Sequence, residues 1–309
     1  MKTSTHNNCF NQQPYDRFFD FISLKANRYK ILLECIEALN LNSSVININQ
    51  NRHIFIFPKG QKNIRASMGV FPFSGMSPYM LIAHYDRVPG SPGANDNSIA
   101  VFHLLNAETI FDKLGKDNWI ILFTDKEELL EGETIKEQGS YTLAQKLIGW
   151  GLEKIKIFNF DTCGCGNVFI LSTTTDYLLK DSQSPNICKV RENIAWLRSR
   201  ALEKANLLRL DRVLLAPVPF CDDAGFLHSG IAAQTITMLP EEEASKYEAL
   251  LYDRPKFAEL IISGKTKEPK EQKHLPETWR ILNKPEDTHL RLTPQYFESV
   301  VNFAVELCL

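Results

Sequence analysis

No stretch of this 309-residue sequence stays apolar for the roughly 18 residues that a membrane helix needs, so no helical span is expected. The opening residues Met1 to Asn8 hold no apolar run of the kind that forms the core of a secretory leader. An excess of charge of one sign is also lacking: 35 basic and 37 acidic side chains leave a formal net charge of -2. Without a basic surplus, neither a nucleic acid nor an anionic membrane surface is an expected partner. Cysteine is sparse, odd in number at 7, and scattered. A disulfide framework is therefore not expected, and the reducing cytoplasm is the expected location. Cys163 and Cys165 form a Cys-x-Cys pair, but no second pair stands nearby to complete a zinc ribbon, so they read as small buried residues. Internal repeats and long low-complexity segments are absent as well.

What is present suits a globular protein. The hydrophobic share of 44% and the charged share of 23% are ordinary for a chain that buries a core. Residues 1–15 are mostly polar and read as a flexible arm, leaving 16–309 as one α/β domain. Apolar spacing predicts a helix over Phe18 to Leu41 and paired strands over Val45 to Asn49 and Ile54 to Phe57. Strands and helices then alternate. Strands are predicted at 80–83, 119–124, 155–160, 167–172, 213–215 and 233–238. Helices are predicted at 98–112, 141–149, 194–205 and 294–309. The expected fold is α/β, with a mostly parallel mixed central sheet and helices on both faces. In such sheets, sites sit beyond the carboxyl ends of the strands.

The polar residues fall where that rule places a site. The strand at 80–83 leads into His84-Tyr85-Asp86, the strand at 119–124 into Asp125-Lys126-Glu127-Glu128, and the strand at 155–160 into Asp161. Asp96 lies in a loop just before a helix. Histidine nitrogen and carboxylate oxygen are the donors zinc takes. Two adjacent glutamates outside regular structure can divide labour, one binding metal and the other taking a proton from water. Asp86, two residues past His84, can orient its ring. Each residue also has an ordinary use. Asp96 can cap a helix, the two glutamates can favour a helix start, and Asp161 can serve a turn. Clustered acids repel unless a cation offsets them, which favours a metal.

The order of motifs resembles the zinc aminopeptidase and glutaminyl cyclase group known as metallopeptidase family twenty-eight. The matching segments are Ala83-His84-Tyr85-Asp86, Pro92-Gly93-Ala94-Asn95-Asp96-Asn97, Glu127-Glu128 and Asn159-Phe160-Asp161. Further on come Cys221-Asp222-Asp223-Ala224-Gly225-Phe226 with Gly230-Ile231, and then Pro285-Glu286-Asp287-Thr288. The resemblance runs from about Met80 to the C-terminus. It implies the fold of a zinc exopeptidase, with His84 and Asp161 on one zinc, Asp96 bridging to a second, Glu128 on that second ion and Glu127 as the general base. Asp86 would support His84, and Asp222 and Asp223 would lie near the substrate pocket.

One position departs from the family pattern. The family carries a histidine, the last ligand of the second zinc, where this chain has Asn283. Three readings follow. Asn283 ligates through its weaker amide oxygen, another histidine such as His274 or His289 substitutes, or one ion alone sits on His84, Asp96 and Asp161. One or two Zn2+ ions are thus expected, with cobalt and manganese able to use similar donors. The leading expectation is an aminopeptidase that hydrolyses peptides or amino-acid derivatives. A glutaminyl-cyclase-like acyltransferase ranks lower, because that type resembles a one-metal site that keeps the late histidine. A catalytically impaired binding protein on a peptidase fold is the third. The polar segment 264–273 is expected to be an exposed loop bordering the pocket.

Overall fold

A computed structural model describes residues 10, 12–59, 78–262 and 269–309. Eight strands form one mixed sheet: β1 (Asn42–Ile48), β2 (Asn51–Phe57), β3 (Tyr79–His84), β4 (Trp119–Thr124), β5 (Lys156–Phe160), β6 (Val168–Ser172), β7 (Arg212–Ala216) and β8 (Ala233–Leu239). Their order is β1-β2-β4-β3-β5-β8-β6-β7. The central run β4-β3-β5-β8 is parallel throughout. Antiparallel pairings join β1 to β2, β2 to β4 and β6 to β8. The carboxyl ends of the four central strands therefore point one way, and the residues that follow them meet at one edge.

The sheet is buried on both faces, which explains why its central strands β3 and β4 are largely apolar. Alternate residues divide between two cores. Leu81 and Ala83 of β3 pack with helices α2 (Ile99–Leu114), α4 (Pro185–Leu207) and α6 (Phe297–Cys308). Met80 and Ile82 pack on the other side, against Leu143 and Leu147 of α3 (Gly139–Gly149) and Phe226 of α5 (Asp222–His228). The period of 2 along a strand makes this division automatic.

The predicted helix over Phe18 to Leu41 is two helices, Phe18–Ile22 and α1 (Arg28–Ala38). The Asn27 side chain accepts the Lys30 backbone N–H at 3.0 Å and caps α1. Apolar spacing alone cannot register such a cap when it falls between two amphipathic stretches. The β1–β2 turn is tighter than expected. Ile48 pairs with Asn51, and the two residues between, Asn49 and Gln50, both hold positive φ as a two-residue hairpin turn requires.

The arm expected over 1–15 needs correction where it is described. Phe10 and Tyr15 are buried, with Phe10 stacked on Phe18 and the Tyr15 hydroxyl bonded to His103 Nδ1 at 2.8 Å. Polar neighbours mask these two aromatics in the sequence. Residues 1–9 and 11, and residues 264–268 of the loop expected at 264–273, lie outside the described residues, and the described remainder includes the short helix Pro269–Gln272 instead of a continuous loop.

Candidate metal centre

His84 is the last residue of β3 and is buried. Its Nδ1 lies 3.3 Å from Asp86 Oδ1, its Nε2 3.1 Å from Asp96 Oδ1 and 3.9 Å from Asp161 Oδ1. None of these approaches has the geometry of a hydrogen bond, so both ring nitrogens stay unbonded in a buried site. The carboxylate of Asp86 also accepts the backbone N–H groups of Glu127 and Glu128, each at 3.1 Å. One carboxylate thus ties the end of β3 to the loop after β4. Burial works to raise the Asp86 pKa, yet His84 and the two amides outweigh it and hold Asp86 below the ordinary carboxylate range. Burial likewise opposes a charged His84, but Asp86 and Asp96 overcome it and keep the imidazole protonated well above its usual pKa when no metal is present.

Asp96 sits in a non-helical turn at Ala94–Ser98, just before α2, and does not cap the helix. Three devices fix this turn. Asp287 accepts the backbone N–H groups of Asn95 at 2.9 Å and Asp96 at 3.0 Å. Asn97 bridges to β5, donating to Phe160 O at 2.8 Å and accepting Thr162 N–H at 3.1 Å. Gly93 holds φ +57, and a Cβ there would lie 2.5 Å from Asp96 O.

A further device is Arg28, a buried residue of α1. Its guanidinium donates to the carbonyls of Tyr85, Asp86, Pro92 and Gly93 and to Ser98 Oγ, at 2.6 to 3.1 Å. Burial, with Arg87 nearby, lowers its pKa to about 9. The fork joins the His84 strand to the Asp96 loop. Arg28→Lys keeps the charge but loses the fork, and is expected to cost about 2–3 kcal/mol by stranding buried carbonyls. Thermal unfolding checks this, and an unchanged Tm would show that the fork is dispensable.

Among the described residues, the histidine and acid donors that fall together are His84, Asp96 and Glu128, whose ligand atoms all lie within 4.8 Å of one another. The structure places Glu128 beside His84 and Asp96, the residue expected to bridge between ions. Asp161 follows β5 and completes the ring of acids. Glu128 Oε1 is buried and unpartnered, like the His84 nitrogens. Orphaned donors of imidazole and carboxylate type around one point fit a zinc ion.

Asn283 turns toward this centre with φ +62. Its amide nitrogen donates to Glu128 Oε2 at 2.9 Å. The amide thus acts on Glu128 as a hydrogen-bond donor. The His274 ring lies edge-on against Phe257 and the His289 ring edge-on against Phe19. Both histidines are used in packing contacts, and His84 supplies the imidazole of the donor group.

Glu127 is held from the side by Gln138, whose Nε2 donates to Glu127 Oε1 at 3.2 Å. Burial first, then the charges of Glu128 and Asp161, push the Glu127 pKa well up, against the opposing pull of His84. Burial, with Asp96 among the neighbouring charges, pushes up Glu128 in the same way. Asp161 is raised to about 7 by burial and by Asp96, Asp222 and Asp223. Asp222 and Asp223 begin α5 beneath the site and are themselves buried. Asp222 accepts Thr124 Oγ1 at 2.5 Å, and Asp223 lies 3.2 Å from Cys221 Sγ. A cleft of about 590 Å3 opens over these groups, with Asp96, Glu127, Glu128 and Asp161 in its lining beside apolar residues such as Val218 and Leu282.

Sequence patterns carry no signal for Arg28 or Gln138, because a lone arginine in a helix and a lone glutamine in a loop are commonplace. Asp287 falls in a segment that the family resemblance covers, but its role of anchoring the Asp96 turn emerges only in three dimensions.

A family model described as peptidase family M28 matches residues 71–249. The fold is similar to a zinc aminopeptidase from Bacillus subtilis, with a TM-score of 0.50 and 19% identity, over 83% of this chain and 49% of that one. It is also similar to a glutaminyl cyclase from Bacteroides thetaiotaomicron, with a TM-score of 0.59 and 15% identity, over 95% of each chain. A leucine aminopeptidase precursor from the same organism matches with a TM-score of 0.59 and 14% identity, over 95% of this chain and 94% of that one. The chain spans about half the length of the Bacillus subtilis enzyme and nearly the whole of the other two. No curated protein matches the chain.

Proposed function

This chain belongs to peptidase family M28, and from that membership we propose that it is a zinc-dependent aminopeptidase that removes N-terminal residues from peptides. The observation that carries the reading is the position of Glu127, a half-buried carboxylate lining the cleft beside the His84, Asp96 and Glu128 donor group. Those three side chains, with Asp161, would hold the ion. When bound there, the ion supplies Lewis acidity toward a carbonyl and eases the deprotonation of water near neutral pH. Glu127 takes a proton from the attacking water and returns it to the leaving nitrogen as the C–N bond breaks. Gln138 holds Glu127 in place, and Asp86 orients the His84 ring so that Nε2 faces the donor group. The acids along the cleft favour a substrate whose amine is free and positively charged.

The same reading includes a single zinc ion. Asn283 presents an amide N–H to Glu128, where an imidazole would be needed to complete a second set of ligands. Wild-type protein is expected to bind one zinc per chain and Asn283→His to bind two, as measured by elemental analysis. Two ions in the wild-type protein would overturn this part.

The activity is tested with zinc-loaded protein, a panel of aminoacyl amides and their N-acetylated counterparts. Cleavage confined to the free amines is expected. Equal cleavage of both forms, or of neither, would refute the aminopeptidase reading. A glutamine-initiated peptide belongs in the same panel, because release of pyroglutamate from it would mean a cyclase.

A further inference from the structure

The cleft carries charge of both signs, and the two signs are segregated. Its acids, Asp96, Glu127, Glu128 and Asp161, belong to the donor site. Its cations, Arg280 and Lys284, come from one short stretch of chain near the C-terminus. Neither cation has an ion pair or a side-chain hydrogen bond among the described residues, whereas Arg28, Arg198 and Arg212 all donate from their guanidinium groups.

The stretch bearing the two cations is anchored on both sides. Trp279, next to Arg280, is buried with its ring 5.0 Å from that of Tyr247. Thr278 donates its backbone N–H to Glu243 Oε2 at 2.9 Å. The Lys284 carbonyl accepts Ser91 Oγ at 3.0 Å and Asp287 N–H at 3.1 Å. Asp287 in turn holds the Asp96 turn. The backbone carrying the cations is thus tied to the loop that carries the acids, so the spacing between the two charged groups is built into the fold. A cleft of about 590 Å3 is in the range that encloses a ligand the size of two or three residues.

We propose that this cleft selects short peptides by their free C-terminal carboxylate, which Arg280 and Lys284 bind while the acids around Glu127 receive the N-terminal amine. The proposal rests on the aminopeptidase reading and adds the substrate class. A peptide of two or three residues carries its two terminal charges a few ångströms to about 10 Å apart, since an extended chain advances about 3.3–3.6 Å per residue. A long peptide places its carboxylate beyond reach of the cleft and gains nothing from the cations.

The test compares three ligands of equal chain length: an alanyl dipeptide, its C-terminal amide, and a dipeptide amide with aspartate in second place. With the wild-type protein, KM for the free acid is expected to lie about tenfold below that for the plain amide, the sum of two partly exposed ion pairs. The gap should narrow as salt is raised. In the double variant Arg280→Gln, Lys284→Gln the gap should close, with KM for the plain amide unchanged. Equal KM values for acid and amide, or a gap that survives the double substitution, overturn the proposal. A gain confined to the aspartyl amide also overturns it, in favour of side-chain recognition. Calorimetric binding of the same three ligands to zinc-loaded Glu127→Gln protein reads the preference without turnover. If no peptide is cleaved, the aminopeptidase reading fails, and the carboxylate preference must still appear in binding or this proposal fails with it.

Discussion

Replacing Glu127 with glutamine is expected to lower kcat on a cleaved peptide by about 10^2–10^4-fold, the usual contribution of a general base. The change is nearly isosteric, and the Gln138 amide can turn to meet the new side chain. Bound zinc should be unchanged, because the donor group is His84, Asp96 and Glu128, and Tm should not fall. The wild-type pH profile carries a second signature. Burial and the charges of Glu128 and Asp161 raise the Glu127 pKa, and the base must be ionised to work. The acid limb of kcat/KM should therefore lie above the ordinary carboxylate range, shifted back toward it to the extent that a bound cation favours the ionised form. A variant that kept its activity, or one that lost its zinc along with it, would remove Glu127 from the role of base.

Stripping the metal is expected to make stability fall steeply as pH rises from about 4 to about 7. Burial raises Asp161 and Asp287 to about 7, and Asp222 and Asp223 to about 6. The unfolded chain ionises such groups near 3.9. Below that pH the groups are protonated in both states and cost nothing. As pH climbs through 4 to 7, the unfolded chain releases protons that the folded chain retains, so folding loses free energy. His84 adds to the same trend. Its pKa is raised in the folded chain by the surrounding carboxylates, so its contribution is present at low pH and disappears as pH rises through that pKa. Asp86 runs the other way, since its folded pKa is depressed, but its contribution is already complete by pH 5. At about 1.4 kcal/mol per pKa unit, the interacting acids together amount to several kcal/mol. Saturating zinc offsets the repulsion and binds better as protons leave, so its stabilising effect should be larger at pH 8 than at pH 5. Melting curves at both pH values, in chelator and in zinc, measure this directly. A metal-free protein equally stable at both would mean that the acids find other compensation.

The one-zinc reading and the carboxylate preference both turn on a small part of the chain, Arg280 to Lys284. There the resemblance stops being a guide, because Asn283 stands where the family pattern calls for an imidazole. The structure adds that this amide donates to Glu128 and that a cation lines the cleft on either side of it in the sequence.

Much of the fold and half of the centre were legible in the residues alone. Strands buried on both faces are largely apolar, so β3, β4 and β5 stand out, and the polar residues at or just past their carboxyl ends lie at one sheet edge. That argument reaches His84, Asp86, Glu127, Glu128 and Asp161 without coordinates. It does not reach the way these groups are held. Arg28 acts from a helix 57 residues before one of its partners, and Asp287 grips the Asp96 turn from 191 residues away. Hydrogen bonds at such separations leave no periodicity behind. The break between the two N-terminal helices and the burial of Phe10 and Tyr15 were hidden for the same reason, since each depends on which surfaces meet. The sequence determined which side chains could bind a metal and along which edge they gather, because strand periodicity is a local property of the backbone. Only the tertiary structure decided that Asn283 serves Glu128 as a donor and that Arg280 and Lys284 share a cleft with the acids, because both are products of long-range packing.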